Sequence, residues 1–300
     1  MKSQFVALAD SYTIRGSKSE QVLLSLKGGT RYDLTREQFD FLTQLSGQNT
    51  SETIVNQYDK KSQLVIEEFL ANLQTIGALQ FTTKKIFREL PQEVVPDIRL
   101  QAVHLENSSR CNLRCAHCYQ GDRYPVNENL TFKDVRRVAD EMKAIQVQGV
   151  SISGGEPFCQ MDIFDIVHLF EERDIRIISF FTNGILLNKI MVKKILALKS
   201  QPGIFVSLDA ITPQGMIFRG LKESAGEKAL ARILANIEML KASGLRVVVN
   251  TVMNTHNISL LKNMYSVIRG LGVDSWRIGY PKQTGFFRKG KDQFGLSWET

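Results

Sequence analysis

The chain has 300 residues, 43% of them hydrophobic, enough length and apolar content for about two globular domains. Its apolar run Phe5 to Ala9 stops at Asp10 and no apolar stretch approaches spanning length, so neither a signal-peptide core nor a membrane helix is expected. The formal charge of +7 admits an anionic partner, but the bases alternate with acids along helical stretches, as on solvated faces, and nucleic acid is not expected.

Residues 1 to 83 read as a first domain. Gln21 to Leu26 and Thr30 to Leu34 are strand-like around Lys27-Gly28-Gly29, a hairpin turn whose glycines supply positive φ. Three helices follow. Thr35-Arg36-Glu37-Gln38 forms a capping box ahead of Phe39, Leu42 and Leu45, with Gly47 as the stop. Thr50 or Ser51 opens the second helix, which carries Ile54, Val55 and Tyr58. The third starts near Ser62, repeats Val65, Phe69, Leu73 and Ile76, and ends at Gly77 before the strand-like Ala78 to Thr82. A hairpin with three helices predicts a small winged-helix-like α+β domain. The pattern is similar to the peptide-chaperone domain of the pyrroloquinoline quinone pathway. That resemblance implies a leader-binding domain, in which the exposed hairpin edge accepts an extended peptide as an added strand. A DNA-binding winged helix or a structural cap would share the outline, although the helices lack a basic recognition face. Residues 84 to 99, with Lys84, Lys85, Pro91 and Pro96, read as a linker.

Strand and helix alternate from residue 100. Expected strands are 100–106, 150–153, 176–181, 203–208, 246–253 and 273–278. Expected helices are one capped by Thr131, carrying Val135, Val138, Ala139, Met142 and Ile145, then 163–173, 188–198, 226–243 and 258–271. Six such units make an α/β domain with a parallel sheet. They are fewer than a closed eight-unit barrel needs, so 100–280 is expected to curl into a partial (β/α)6 barrel with ligands at the carboxyl ends of its strands.

The chemistry concentrates after the first of these strands. Cys111-Asn112-Leu113-Arg114-Cys115-Ala116-His117-Cys118 holds three of the four cysteines in eight residues, a pattern that argues against a secreted disulfide framework and for the reducing cytoplasm. A structural zinc site wants four ligands, and His117 beside Cys118 is a poor fourth. Three thiolates suit a 4Fe-4S cluster whose fourth iron stays open to a ligand. Inert buried thiols are the bland alternative, yet these sit among Asn107, Ser108, Ser109, Arg110 and Asn112, a polar loop.

This C-x-x-x-C-x-x-C loop, with a ring before its third cysteine and Gly154-Gly155-Glu156-Pro157 after the next strand, resembles the radical S-adenosylmethionine (SAM) enzymes. The resemblance implies a 4Fe-4S cluster on Cys111, Cys115 and Cys118, with SAM chelating the open iron. It implies that Gly154, Gly155, Glu156 and Pro157 lie against the methionine amino group, the glycines permitting close approach. Ser207 and Asp209 match ribose-side and amino-side polar positions, and Arg219 matches the arginine that pairs with the SAM carboxylate. Asn183 and Asn250 are further candidates. Capping roles for Asp209 and the two asparagines, and a surface ion pair for Arg219, are the competing readings. The implied reaction is reductive cleavage of SAM and hydrogen abstraction from a ribosomally made precursor peptide, with an electron donor such as flavodoxin or ferredoxin. A crosslink, a thioether or an epimerisation all start from that step. A small-molecule or protein side-chain substrate, or a non-catalytic metal-holding peptide module, are the alternatives.

Cys159 is a candidate hydrogen donor, as in an epimerase, or a small apolar filler. Pro281 to Phe294 is glycine-rich and basic, and Lys282, Arg288, Lys289 and Lys291 favour an acidic peptide. That stretch reads as a connection, and Ser297 as the N-cap of a helix. The chain is therefore expected to continue past Thr300 into a cysteine-bearing extension of the SPASM or twitch kind, with a single-cluster enzyme as the competing reading.

Overall fold

The computed structural model describes residues 4–16, 20–90, 100–121 and 130–296. The chain divides into two compact units, the first comprising 1–102 with 140–149 and 171–176, the second 103–139, 150–170 and 177–300.

The first unit contains β1 (Phe5–Leu8), β2 (Tyr12–Gly16), β3 (Gln21–Ser25), β4 (Arg31–Leu34), α1 (Arg36–Leu42), β5 (Ser46–Thr50), α2 (Ser51–Val55), α3 (Lys60–Thr75) and β6 (Leu79–Thr82). Its strands form two three-stranded sheets, β2-β3-β4 and β5-β1-β6. The expected hairpin is present: Leu23 faces Tyr32 across β3 and β4, and the turn glycines Gly28 and Gly29 sit at φ +76° and +73°. So is the capping box, in which Thr35 Oγ1 accepts the Gln38 N–H at 3.2 Å and Gln38 Oε1 accepts the Thr35 N–H at 2.9 Å. Val6, Leu8, Ile14, Leu23, Phe39, Leu42 and Ile54 form the core.

The unit is richer in strand than expected. β1 pairs with Thr50 on one side and Thr82 on the other, partners too far along the chain for a local pattern to announce. The same pairing shortens α1. The helix stops at Leu42 instead of running to Gly47, because 46–50 is claimed as a strand, and Gly47 sits at φ +83° where a Cβ would strike Ile86. α3 opens earlier than Ser62, on Asp59, whose Oδ1 accepts the N–H groups of Lys61 and Ser62 at 2.9 and 3.1 Å. Residues 84 to 90 of the expected linker belong to this unit. The Arg88 N–H reaches the Ser46 carbonyl at 2.9 Å, its Nη1 donates to the Leu8 carbonyl at 2.6 Å, and Leu90 is in the core. The rest of the linker, with Pro91 and Pro96, lies outside the described residues.

The alternating region supplies β7 (Ala102–Glu106), α4 (Phe132–Ala144), β8 (Gly149–Ser153), α5 (Ile163–Glu171), β9 (Arg176–Thr182), α6 (Lys189–Leu196), β10 (Gly203–Ser207), α7 (Glu223–Ala242), β11 (Val247–Val252), α8 (Leu261–Gly270), β12 (Ser275–Gly279) and α9 (Phe287–Phe294). Strands β7 to β12 lie side by side in chain order as one six-stranded sheet, the parallel, open architecture expected of a partial barrel. Alternation sorts its side chains. Ile204, Val206, Val247 and Val249 are fully buried, with Val206 and Ile233 of α7 both beside Gly184. The opposite face carries Phe181, Phe205, Ser207, Asn250 and Arg277 in register.

The stretch read as a connection folds instead. Phe287 and Phe294, seven residues apart on one face of α9, are 2% and 4% exposed and pack with Phe218. Glycines and bases obscured that two-phenylalanine stripe. Ser297 to Thr300 lie outside the described residues. Among the described residues no helix is long and apolar enough to cross a membrane.

Helix α6 offers a test of the local chemistry. Asn188 Oδ1 accepts the N–H groups of Ile190 and Met191, both at 3.0 Å. Asn188→Ala leaves both donors bare and should lower stability by about 1 kcal/mol in urea unfolding, whereas Asn188→Asp keeps the acceptor and most of the stability.

Candidate active site

The cysteine loop is fixed from three directions by backbone contacts. From β8, Gly155 N–H donates to the Ser108 carbonyl and Glu156 N–H to the Arg110 carbonyl, both at 2.7 Å. Cβ atoms on Gly154 or Gly155 would be driven into those same carbonyls, and Gly154 also holds φ +126°. The close approach that demands glycine here is therefore made by the cysteine loop's own backbone. From the far side, a 3-10 turn at Gln214–Arg219 presents the Phe218 carbonyl to the Ala116 N–H at 2.9 Å, and Gly220, at φ +77°, abuts the Arg114 carbonyl. From the C-terminal segment, Phe286 N–H donates to the Cys118 carbonyl at 3.0 Å, and Gly285 leaves no room for a Cβ against it.

Within this frame the three thiols are half-buried. Cys111 Sγ takes the Leu113 N–H at 3.4 Å and lies 3.9 Å from Asn183 Nδ2. Burial pushes the Cys115 thiol up to about 12; the Arg219 guanidinium opposes that shift, and Asp209, Cys111 and Cys118 add to it. A metal bound at the sulfur would displace that proton.

Arg219 and Asp209 are brought together and both are buried, with Nη1 donating to Oδ2 at 2.8 Å, so the surface ion pair considered for Arg219 is not what the fold makes. Burial works against the arginine's charge and is outweighed by Cys115 and Asp209, leaving its pKa raised. Its Nε has no hydrogen-bond partner among the described residues. Asp209 also staples the strand ends: Oδ1 accepts the Val252 N–H at 2.7 Å, and its carbonyl accepts Asn257 Nδ2 at 2.9 Å. His117 stacks on Phe218 with centroids 4.3 Å apart, its Nε2 3.8 Å from Asp209 Oδ2. Burial pushes its pKa down to about 4, so the ring is neutral at pH 7 and this contact is not then an ion pair.

Glu156 is fully buried. Its Oε1 accepts Thr182 Oγ1 at 2.7 Å and the Phe158 N–H at 3.3 Å, and its Oε2 accepts the Asn183 N–H at 2.7 Å. Burial pushes its pKa up to about 6 against these donors, so it is ionised above neutrality. Its carboxylate thus fixes Asn183, whose Nδ2 donates to Asn112 Oδ1 at 2.7 Å beside Cys111. Pro157 starts the short 3-10 turn that ends at Cys159. Cys159 is half-buried, its thiol pushed up to about 11 by burial, with Glu156 and Cys111 adding to the shift. Ser207 and Asn250 form a separate polar pair, aligned across β10 and β11. Sequence reasoning missed Phe218, Gly220, Gly285 and Phe286. The signals were a glycine after Arg219 and a Gly-Phe pair in the C-terminal segment.

Three thiols, with no fourth protein ligand among the described residues, make a donor set that fits a 4Fe-4S cluster. Among the described residues no three His, Cys, Asp or Glu side chains converge as ligands of one ion, whereas a cubane takes each thiolate on a different iron.

Gly285→Ala would force a Cβ into the Cys118 carbonyl at φ +56°. Hydrogen exchange at the Phe286 and Phe287 amides should accelerate at least tenfold while β9 and β10 amides keep their protection. Glu156→Gln turns an N–H donor toward the N–H of Asn183 or the Thr182 hydroxyl, and should cost about 1–3 kcal/mol in chemical unfolding.

Residues 106–266 match the Radical SAM superfamily. An AdoMet-dependent heme synthase of Methanosarcina barkeri is 28% identical over 183 residues, 60% of this chain and 50% of that protein. A probable GTP 3′,8-cyclase of Saccharolobus islandicus is 29% identical over 179 residues, 59% of this chain and 54% of that one. The chain thus spans about half the length of the curated relatives it matches. Among solved structures, Streptococcus suis SuiB bound to precursor peptide SuiA superposes with a TM-score of 0.62 at 17% identity, over 93% of this chain and 64% of SuiB. The enzyme anSMEcpe with bound AdoMet and Cp18Cys peptide gives 0.52 at 16% identity, over 61% and 51%. With more than half its length matched and the three-cysteine loop held at the carboxyl end of a six-stranded sheet, the chain belongs to the radical SAM superfamily, whose enzymes use a 4Fe-4S cluster and S-adenosylmethionine.

Proposed function

We propose that this chain cleaves SAM reductively and abstracts a hydrogen atom from a ribosomally made precursor peptide, installing a crosslink or an epimerised centre. The observation that carries the cleavage reading is the cysteine loop, pinned by three sets of backbone contacts with a buried arginine beside Cys115. Cys111, Cys115 and Cys118 would hold the cluster, and an electron donor such as flavodoxin or ferredoxin would reduce it. The bound cluster and SAM supply a 5′-deoxyadenosyl radical. The chain's own residues bind and orient. Arg219, with its unpartnered Nε, is available to a carboxylate, while Asp209 holds its other end in place. Glu156 acts as a positioning residue that sets Asn183 and the Gly154–Pro157 turn. Ser207 at the end of β10 and Asn250 beside it on β11 offer polar groups. Cys159 sits near Cys111, which suits a hydrogen donor to a peptide carbon.

Two observations support a peptide substrate. The likeness to SuiB extends over 93% of this chain, including the first unit, whereas anSMEcpe covers 61%. Within the first unit, β4 is an edge strand. A groove of about 510 Å³ lies between α1 and α3, lined by Phe41, Tyr58, Val65, Ile66 and Phe69, and Val65 is 66% exposed. An edge that offers backbone pairing and an apolar groove in the same unit suit an extended leader peptide, the role of a domain like the quinone-pathway peptide chaperone. The GTP cyclases and heme synthase among the relatives favour a second reading, a small-molecule substrate.

Reconstituted without oxygen, the chain should hold about four irons and, with dithionite and SAM, release 5′-deoxyadenosine; Cys115→Ala should lose both. Stoichiometric zinc with no SAM cleavage would sink the reading. Arg219→Lys removes the guanidinium fork and keeps the charge, so SAM affinity should fall about tenfold with iron content unchanged.

A proline at Tyr32 or Asp33 in β4, whichever directs its amide outward, should abolish leader binding in a titration with the genomically adjacent peptide. The far-ultraviolet circular dichroism spectrum should be preserved. Leader binding that survives both substitutions removes strand addition from the model of recognition.

A further inference from the structure

The sheet face opposite α7 carries a second arginine, and its circumstances differ from those of Arg219. Arg277 on β12 is in register with Asn250, and Asn250 with Ser207, so the three share one face. Its guanidinium carbon lies 4.8 Å from the centroid of the Phe205 ring. Phe205 continues into Phe181 at 4.7 Å, and Phe181 into His104 at 5.3 Å. The guanidinium lies over the ring of Phe205 in this aromatic row, a contact that does not use its N–H donors. Among the described residues no carboxylate pairs with Arg277, and it is exposed. Glu106, an acid two residues from His104 on β7, is engaged by Tyr119 Oη at 2.7 Å and Gln120 Nε2 at 3.3 Å.

We infer that Arg277 binds a carboxylate of the substrate, either an acidic side chain or the C-terminus of the peptide. A planar fork fixed on an aromatic face, with its donors free, is matched by a two-oxygen anion, and a carboxylate is the one that a peptide carries. Because β12 places it in line with Asn250 and Ser207, the bound carboxylate sets which part of the peptide lies against the SAM-facing strand ends. The inference rests on the peptide reading above and names the feature by which the peptide is chosen.

The test uses the full chain, reconstituted without oxygen and loaded with SAM. The probe is a pool of synthetic hexapeptides with Asp, Glu, Asn or Gln fixed at the fourth position, made with free and with amidated C-termini. Retained peptides are identified by mass spectrometry. The wild-type chain should enrich carboxylate-bearing peptides about tenfold. Enrichment that survives amidation assigns the side chain; enrichment that amidation removes assigns the C-terminus. Arg277→Gln should abolish the enrichment and Arg277→Lys keep part of it, with iron content and SAM affinity by equilibrium dialysis at wild-type values. Peptides retained without preference for a carboxylate, a preference that Arg277→Gln keeps, or a loss of SAM affinity in that variant overturns the assignment and leaves the peptide reading standing. Retention of no peptide by any of the three proteins likewise overturns the assignment, and the leader titration above decides the peptide reading separately.

Discussion

The site depends on backbone packed against backbone. Residues 108 to 118 cross between three other segments, and at each crossing a glycine lets the partner carbonyl come nearer than any side chain would permit: Gly154 and Gly155 at Ser108 and Arg110, Gly220 at Arg114, Gly285 at Cys118. Hydrogen bonds of 2.7 to 3.0 Å close the crossings. A short loop of thiols has little stiffness of its own, and a cluster needs its sulfurs held before it is assembled. The surrounding fold supplies that rigidity by denying the loop any alternative path.

Charge is the second constraint. Taking Arg219 and Asp209 out of water costs several kcal/mol per ion unless each is repaid by a partner and by further hydrogen bonds. Asp209 is repaid on both oxygens and at its carbonyl, while Arg219 keeps an Nε with no partner. Asp209 thus has its partners within the protein, while Arg219, under the electrostatic influence of Cys115, keeps one N–H without a partner among the described residues. Glu156 follows the same logic: its three acceptor contacts are all internal, and its influence on the site passes through Asn183 to Asn112. The acid of the Gly-Gly-Glu-Pro turn works as a strut.

The two arginines sit in different surroundings. Arg219 is buried and bound into the frame that carries the cysteines, whereas Arg277 lies exposed on an aromatic floor along the strand face. In the first unit, β4 lies at a sheet edge and an apolar groove lies between α1 and α3.

Composition and periodicity by themselves determined much of this. The six alternating strands placed the fold, and the cysteine spacing and the Gly-Gly-Glu-Pro turn carried the resemblance to the family, because those signals are local: a ligand loop, a turn and an apolar stripe each fit within a few residues. The capping box at Thr35 and the hairpin at Gly28-Gly29 were legible for the same reason. What the sequence could not show was set by contacts between distant segments. Pairing of β1 with residues 46–50 and 79–82 turned an expected helix end into strand. The Phe218, Phe287 and Phe294 cluster folded the C-terminal stretch into α9 and brought Gly285 onto Cys118. The glycines of the Gly-Gly-Glu-Pro turn could be read as sites of close approach, but only the tertiary structure decided that the approaching atoms belong to the cysteine loop, since that depends on where two loops distant in sequence meet.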